Sequence, residues 1–430
     1  MITVFKVENF RSIVNLVFDL RYGEKRAPNG YQQMATRPFW EDEKTGARVV
    51  PCAALFGANA AGKSNVIKAL VCLKRIVEAG EFEEGEFYNG NAIIPCGETT
   101  YFEIEFIKSG QRYVYGIRYG KMGIVSEQLL VDGRELFYLA TGEASFRIKE
   151  LGVENYPVEK LRDIIRVECC DANGVQKRTL LNCLGSRYAG LNGYISKVYA
   201  YIVNEIDVIH QYSAQKTLPT AVKLFAKREN ISNDQAMGRI VEVLRRLDLD
   251  IVDIKMTERP EVHLLGEADV FSYVPRMRRS PYIINSIHKN LNGDLVTFQF
   301  MRDESEGTQR LATIIGYMLA ALSSGNTLWI DEFDWALHPI LVREILRLFK
   351  DVRFNKKNAH LVFTTHMTDL LDDNMLRMSE VYFVQKNLRV GTKLKRLVDL
   401  RDDEGRLRNV TNFRKQYLDG LYNAIPHPVL

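Results

Sequence analysis

Eight residues limit what this chain can fold into more than any others. Gly57-Ala58-Asn59-Ala60-Ala61-Gly62-Lys63-Ser64 fit G-x-x-x-x-G-K-[ST], the loop that cradles nucleotide phosphates. An apolar run, Val49 to Phe56, precedes them, and a helix-like run, Asn65 to Leu73, follows. A glycine-rich turn before an ordinary helix would share the glycines but has no need of Lys-Ser at the helix start. Gly57 and Gly62 let the backbone curl so that its N–H groups aim at phosphate oxygens, and the helix N-terminus adds a favourable dipole. Lys63 is then the cation for the β- and γ-phosphates, and Ser64 offers its hydroxyl to Mg²⁺. The expected nucleotide cradle is Gly57, Asn59, Ala60, Ala61, Gly62, Lys63, Ser64 and Asn65.

A second group of residues completes that chemistry. Thr327-Leu328-Trp329-Ile330-Asp331-Glu332 is an apolar strand ending in two carboxylates, the Walker B pattern. Asp331 at the strand's end is the expected Mg²⁺ ligand, direct or through water. Glu332 is the expected catalytic carboxylate, polarising the attacking water. An acidic turn after an edge strand would read the same alone; the P-loop upstream gives the pair its meaning. His360 to His366 is another strand, ending in a histidine that can hydrogen-bond the γ-phosphate, and His366 is assigned a catalytic role. Upstream, Ser305-Glu306-Gly307-Thr308 opens a long apolar helix, Leu311 to Leu322. A hydroxyl, a glycine-exposed N–H and a helix dipole suit a second phosphate clamp, and they equally suit a plain helix cap. Ser305, Gly307 and Thr308 are expected to serve the nucleotide of a second subunit.

With 430 residues, the chain has room for one large α/β domain or two to three smaller ones. Its composition, 46% hydrophobic and 26% charged, is that of a globular protein. No stretch approaches the roughly 20 apolar residues of a membrane span, and the first residues, Met1 to Val7, read as a strand rather than a signal peptide. A cytoplasmic location with no membrane partner follows as the expectation. The cysteines, Cys52, Cys72, Cys96, Cys169, Cys170 and Cys183, form no C-x-x-C pair; buried, reduced thiols are expected. A net charge of +4 does not by itself make a nucleic-acid binder.

Along the chain, Phe5 to Ile13 alternates like a strand and Leu16 to Phe18 answers it. Gly23 to Arg48 reads as a surface loop or hairpin, with a turn at Pro28-Asn29-Gly30, and residues 81–98 as a polar connection. From Thr99 to Leu139 the period is two, with turns at Ser109-Gly110, Gly120 to Gly123 and Asp132-Gly133, an antiparallel meander. Tyr194–Ile206, Thr217–Lys227 and Asp234–Leu247 have helical spacing, without sustained heptads. Short strands return near Ile251–Ile254 and Asp294–Phe300. The expected division is 1–150, with P-loop and meander; 151–255, a helical insertion; and 256–430, with the Ser305–Thr308 segment, the Walker B pair and His366.

P-loop, serine-glycine signature, Asp-Glu Walker B and switch histidine, in that order, resemble an ABC-type ATPase head. Val7-Glu8-Asn9-Phe10-Arg11-Ser12 and the Gly57–Asn65 form of the P-loop resemble the SMC, RecF and OLD branch. The tail, Asn412 to Pro426, is similar to the ending of stand-alone OLD-like ATPases of bacterial abortive-infection and other phage-defence operons. The resemblance implies an α/β fold: a P-loop NTPase, an ABC-type ATPase head with an antiparallel β-subdomain and a helical insertion. It implies ATP and Mg²⁺ as cofactors, ATP hydrolysis to ADP and phosphate, and ATP-dependent pairing of the chain with itself as a homodimer or higher oligomer. It further implies a sensor or regulator in an anti-phage system, controlling a separately encoded effector such as a nuclease. A RecF-like repair or recombination ATPase binding DNA is the alternative, and a scaffold with negligible turnover a third reading. Three departures stand out. The signature reads Ser-Glu-Gly-Thr. No glutamine sits in a Q-loop context after the first helix. No Toprim-like nuclease domain follows the last strand, so the chain is expected to be the sensor or motor half of a system. Asp334 and His338, after Walker B, match the D-loop position, which the resemblance places at a dimer seam.

Overall fold

Cys52-Ala53-Ala54-Leu55-Phe56 contains no charged residue and no alternation, the pattern of a strand covered on both faces. In the computed structural model it is strand β5, buried at all five positions. The structure describes residues 1–24, 31–80, 99–140, 162–187, 193–210, 214–247, 249–259, 281–371, 375–387, 391–400, 413–422 and 424. The turn at 28–30, the connection 81–98 with Cys96, residues 150–161, and Asn412, Asn423, Ile425 and Pro426 of the tail lie outside the described residues.

The chain divides into two compact units. The first comprises Met1–His210, Gly325–Asp334 and Val342–Leu430. It carries the large sheet, built from β1 (Ile2–Phe10), β2 (Ile13–Asp19), β5, β6 (Thr99–Lys108), β7 (Gln111–Gly120), β8 (Gly123–Val131), β9 (Arg134–Ala140), β10 (Ile206–Ile209), β14 (Thr327–Ile330), β15 (His360–Thr364), β16 (Val381–Asn387) and β17 (Gly391–Arg396). A two-residue pair, β3 (Trp40–Glu41) with β4 (Arg48–Val49), makes the hairpin within Gly23 to Arg48. The sheet order is β10-β14-β15-β5-β16-β17-β2-β1-β6-β7-β8-β9. The strands from β10 through β14, β15 and β5 to β16 run parallel, and from β1 to β9 the pairing is antiparallel.

This is a mixed α/β P-loop fold, as the resemblance implies, with the antiparallel extension that the period-two pattern implies. The parallel strands bring the chain segments after β14, β15 and β5 to one edge, where open α/β sheets place their ligands. Trp329 of β14 locks the parallel part to the N-terminal hairpin. It is fully buried and meets Phe5 and Phe18 edge-on, at 6.2 and 5.5 Å between ring centres. Phe18 in turn meets Tyr382 of β16 at 4.8 Å. The helix after the P-loop spans Lys63–Ala79 and ends at Gly80, whose φ of 75° stops it in the left-handed region. The five described cysteines are free thiols.

The second unit comprises Gln211–Ser324 and Trp335–Leu341. It holds the helices Ala214–Glu229, Asn233–Arg246 and Glu306–Ser324 and a small antiparallel sheet of β11 (Asp253–Glu258), β12 (Tyr282–Lys289) and β13 (Leu295–Gln299). Ser232 and Gln235 close a reciprocal capping box on the Asn233 helix. Gly316 lets the Glu306–Ser324 helix approach the Ala214–Glu229 helix closely, since a Cβ there would stand 2.8 Å from that of Ala221.

The β16–β17 hairpin is not read from the periodicity, and two further elements differ from it. Tyr194–Ile206 reads as one helix, but the helix is Gly193–Asn204 and Ile206 opens β10, which pairs with the Walker B strand. Four residues, Ile-Asp-Val-Ile, are too few to break a helical pattern that runs straight into them. The second difference is β12, whose polar and apolar residues are mixed and which gave no strand signal.

Candidate nucleotide site

Every element of the candidate site described in this and the next two paragraphs belongs to the first unit. Gly57 leaves β5 against β16: a Cβ there would stand 2.5 Å from the Val384 carbonyl oxygen. Ala60 has φ 62°, a left-handed conformation that costs a residue with a Cβ. Gly62 has φ 103°, and a Cβ on it would stand 2.3 Å from Thr392 Oγ1. Both the turn and the close approach therefore require glycine there. Lys63 is buried and its Nζ donates to the carbonyls of Gly57 at 2.8 Å and Ala58 at 3.0 Å. Burial pushes its pKa down to about 8, against the opposing pull of Asp331, Asp334 and Glu332.

The loop is braced from two distant strands. Asn65 Nδ2 donates to Ser12 Oγ at 2.6 Å. The Ser12 and Thr392 hydroxyls share a 2.7 Å bond, and Thr392 Oγ1 donates to the Ala61 carbonyl at 3.2 Å. The proton directions are consistent from end to end: Asn65 to Ser12, Ser12 to Thr392, Thr392 to the loop. The Asn65 side chain thus holds the β1–β2 turn.

Across from the loop, Ser64 Oγ donates to Asp331 Oδ1 at 3.1 Å. Glu332 sits in the left-handed region at φ 51°. Asp334 Oδ2 accepts the backbone N–H of His366 at 3.1 Å, which ties the segment after β14 to the end of β15. Burial, then the nearby Lys63 ammonium, lower the His366 pKa below its ordinary value, so the ring is neutral at pH 7. A cavity of about 510 Å³ is lined by Asn59, Ala60, Ala61, Gly62, Lys63, Ser64, Asn65, Glu332, His366 and Lys386. The structure therefore brings the P-loop together with Glu332 and His366, with Asp331 one hydrogen bond from Ser64. A hydroxyl and a carboxylate oxygen side by side are the hard donors that Mg²⁺ takes from a protein, leaving its other positions to phosphate and water.

In the second unit, Ser305 caps the Glu306–Ser324 helix. Its Oγ accepts the Thr308 N–H at 3.1 Å and pairs with Thr308 Oγ1 at 2.9 Å. A Cβ on Gly307 would stand 2.6 Å from the Ala336 carbonyl. The Ser305 hydroxyl is thus engaged as a helix cap, one of the two readings open from spacing.

Sequence reasoning did not single out Thr364, Lys386, Ser12 or Thr392. Thr364 and Ser12 lie within runs quoted for other residues; Lys386 and Thr392 belong to a hairpin with no motif of its own.

Against known proteins, a family profile described as "AAA domain, putative AbiEii toxin, Type IV TA system" matches residues 52–157 and 191–373, more than half of the chain. The chain belongs to this family. The family's P-loop ATPase domain accounts for the nucleotide and Mg²⁺ chemistry of the motifs in general terms. No curated protein matches the chain. Among solved structures, an SMC head bound to the C-winged helix domain of ScpA is 14% identical with a TM-score of 0.38, covering 92% of this chain and 96% of that one. The SMC head domain from Thermotoga maritima is 12% identical with a TM-score of 0.39, covering 92% and 98%. An SMC head with an extended coiled coil, bound to the C-terminal domain of ScpA from Pyrococcus furiosus, is 13% identical with a TM-score of 0.38, covering 92% and 95%. Among the described residues no helix is long and apolar enough to cross a membrane.

Proposed function

We propose that this protein binds and hydrolyses ATP as an ABC-type ATPase, and that it acts as the sensor or regulator of a bacterial anti-phage system through a separately encoded effector such as a nuclease. The observation that carries the ATPase reading is the joining of Ser64 to Asp331 beside a cavity lined by Lys63, Glu332 and His366. The bound nucleotide supplies the phosphoanhydride bond, and Mg²⁺ the charge that offsets its developing negative oxygens. The residues do the rest. The loop N–H groups and Lys63 hold the phosphates. Ser64 and Asp331 would hold the metal. Glu332 orients the attacking water and takes up its proton. His366, neutral at pH 7, donates a ring N–H to the terminal phosphate. Lys386, at the end of β16, meets the nucleotide from the side of β5 opposite Glu332, because β14, β15, β5 and β16 are consecutive in the sheet.

The family's printed description, a toxin of a type IV toxin–antitoxin system, supports the defence side of the reading, as does the tail's resemblance to abortive-infection ATPases. ATP is shared between two copies, each P-loop facing the Ser305–Gly307–Thr308 segment of the other. Mixing Ser305→Arg chains with Lys63→Ala chains, each inactive alone, should restore part of the ATPase; no recovery despite co-assembly would argue that the site works within one chain or needs both composite sites intact, and full activity of Ser305→Arg alone would overturn the sharing. The defence role is tested by phage plaque counts with the whole operon. Lys63→Ala should abolish both turnover and protection. Full protection with a Lys63→Ala chain that no longer binds ATP would separate the defence reading from the nucleotide site.

A further inference from the structure

The Asp331 carboxylate and the backbone of the two residues after it are held by a residue that carries none of the expected motifs. Thr364, the last residue of β15, is fully buried. Its Oγ1 donates to Asp331 Oδ1 at 2.7 Å and accepts the backbone N–H of Glu332 at 2.7 Å. Its carbonyl accepts the N–H of Phe333 at 2.9 Å. A hydroxyl has one proton. With that proton on Asp331, the lone pairs face Glu332, and both bonds form without conflict.

We infer that Thr364 is the positioning residue of the ATPase site: one hydroxyl sets the Asp331 carboxylate and, through the Glu332 amide, the left-handed turn that aims the Glu332 side chain into the cavity. The inference rests on the ATPase reading above. Two observations beyond the bonds support it. Glu332 has φ 51°, a conformation that persists in a non-glycine residue only where its surroundings over-determine it, and the bonds from Thr364 to residues 331, 332 and 333 are that surrounding. Asp331 Oδ1 also accepts from Ser64, so the same oxygen is shared between a fixed partner on β15 and a partner on the P-loop helix. Ser64 and Asp331 would hold Mg²⁺ between them, and the Thr364 bond would keep the Asp331 carboxylate in register when the Ser64 bond is given up. Valine at position 364 has the shape of threonine and neither bond.

The test compares Thr364→Val and Thr364→Ser with the parent chain. Three quantities are measured: ATP affinity in EDTA, the gain in ATP affinity on adding Mg²⁺, and steady-state turnover. Thr364→Val should leave the metal-free affinity within about twofold, because the P-loop is untouched. It should reduce the Mg²⁺-dependent gain and lower kcat by at least about tenfold, with KM rising by no more than the lost gain. Thr364→Ser keeps the hydroxyl and should return both properties to within about threefold of the parent. Hydrogen exchange should show the Glu332 amide losing protection in Thr364→Val while Val362 and Phe363 stay protected. If Thr364→Val does not fold, Thr364→Ala is read in the same way. Parent-like kcat and Mg²⁺ dependence in a folded Thr364→Val chain overturn the inference. So does equal damage in Thr364→Ser, which would make shape rather than the hydroxyl the cause. A parent chain that neither binds nor turns over ATP overturns the ATPase reading instead.

Discussion

Burial of Lys63 makes ATP binding draw a proton from solution in a definite pH window. Unliganded, Lys63 has a pKa lowered to about 8 by burial, with the three nearby carboxylates pulling the other way. A bound triphosphate brings several negative charges to the ammonium and raises its pKa again. Below the unliganded pKa the lysine is already charged, and nothing is taken up. Above it the free chain has lost the proton and the complex must regain it. For a pKa near 8, uptake is about 0.1 proton per ATP at pH 7, about 0.5 at pH 8 and about 0.9 at pH 9. The phosphate ionises near pH 6, so the ligand contributes little at pH 8 or 9. Apparent affinity should fall by about tenfold between pH 7 and pH 9, since one pKa unit is one factor of ten. Titration calorimetry in two buffers of different ionisation enthalpy measures the uptake directly. Metal-free titrations keep Asp331 and Ser64 out of the balance. Proton release at pH 9, or heats independent of buffer at both pH 8 and pH 9, would refute the burial argument. A parent-like uptake in Lys63→Met would move it to another group.

Two further predictions follow from packing. Gly62→Ala combines a left-handed backbone, costing roughly 1–2 kcal/mol, with a clash against the hydrogen-bonded Thr392, costing roughly 1–3 kcal/mol; the urea midpoint should drop and ATP binding should fail, and an unchanged midpoint would contradict the geometry. His360 is buried, bonds the Val50 carbonyl through Nδ1, and has its pKa lowered to about 3, chiefly by burial. Its unfolded value is near 6.5, so its contribution is complete above pH 6.5 and is lost as the pH falls towards 3. At pH 4.5 the loss is roughly 2–3 kcal/mol. The difference in unfolding free energy between pH 7.5 and pH 4.5 should shrink by that amount in His360→Gln, whatever its absolute stability, and an unchanged difference would count against a neutral buried His360.

Much of the fold was legible because its patterns are long or punctuated. The P-loop needed only eight residues, since each has a chemical reason. The meander from Thr99 to Ala140 announced itself by strict alternation and glycine turns, and the helix Lys63–Ala79 by the loop before it and Gly80 after it. β10 was hidden because a four-residue strand directly follows a helix of similar composition. The candidate site was legible in its residue types and not in its wiring. Asn65 reads as part of the phosphate loop, yet its amide turns to Ser12. Ser305 fits both a clamp and a cap, and its oxygen accepts the Thr308 N–H. Thr364 stands beside a second threonine, and only the register of β15 against β14 shows which hydroxyl meets the Asp331 carboxylate and the Glu332 amide. The Asn65 and Thr364 pairings join residues more than thirty positions apart, and no local periodicity encodes them.

Single-turnover hydrolysis by Glu332→Gln shows whether ATP is hydrolysed at Glu332 in the P-loop cavity, as proposed. The amide keeps the side chain's shape and cannot take the proton from water. ATP affinity should stay close to that of the parent chain, hydrolysis should slow by roughly 10²–10⁴-fold, and the ATP-bound assembly should accumulate. Parent-like hydrolysis by Glu332→Gln would contradict the proposal and place the catalytic carboxylate elsewhere.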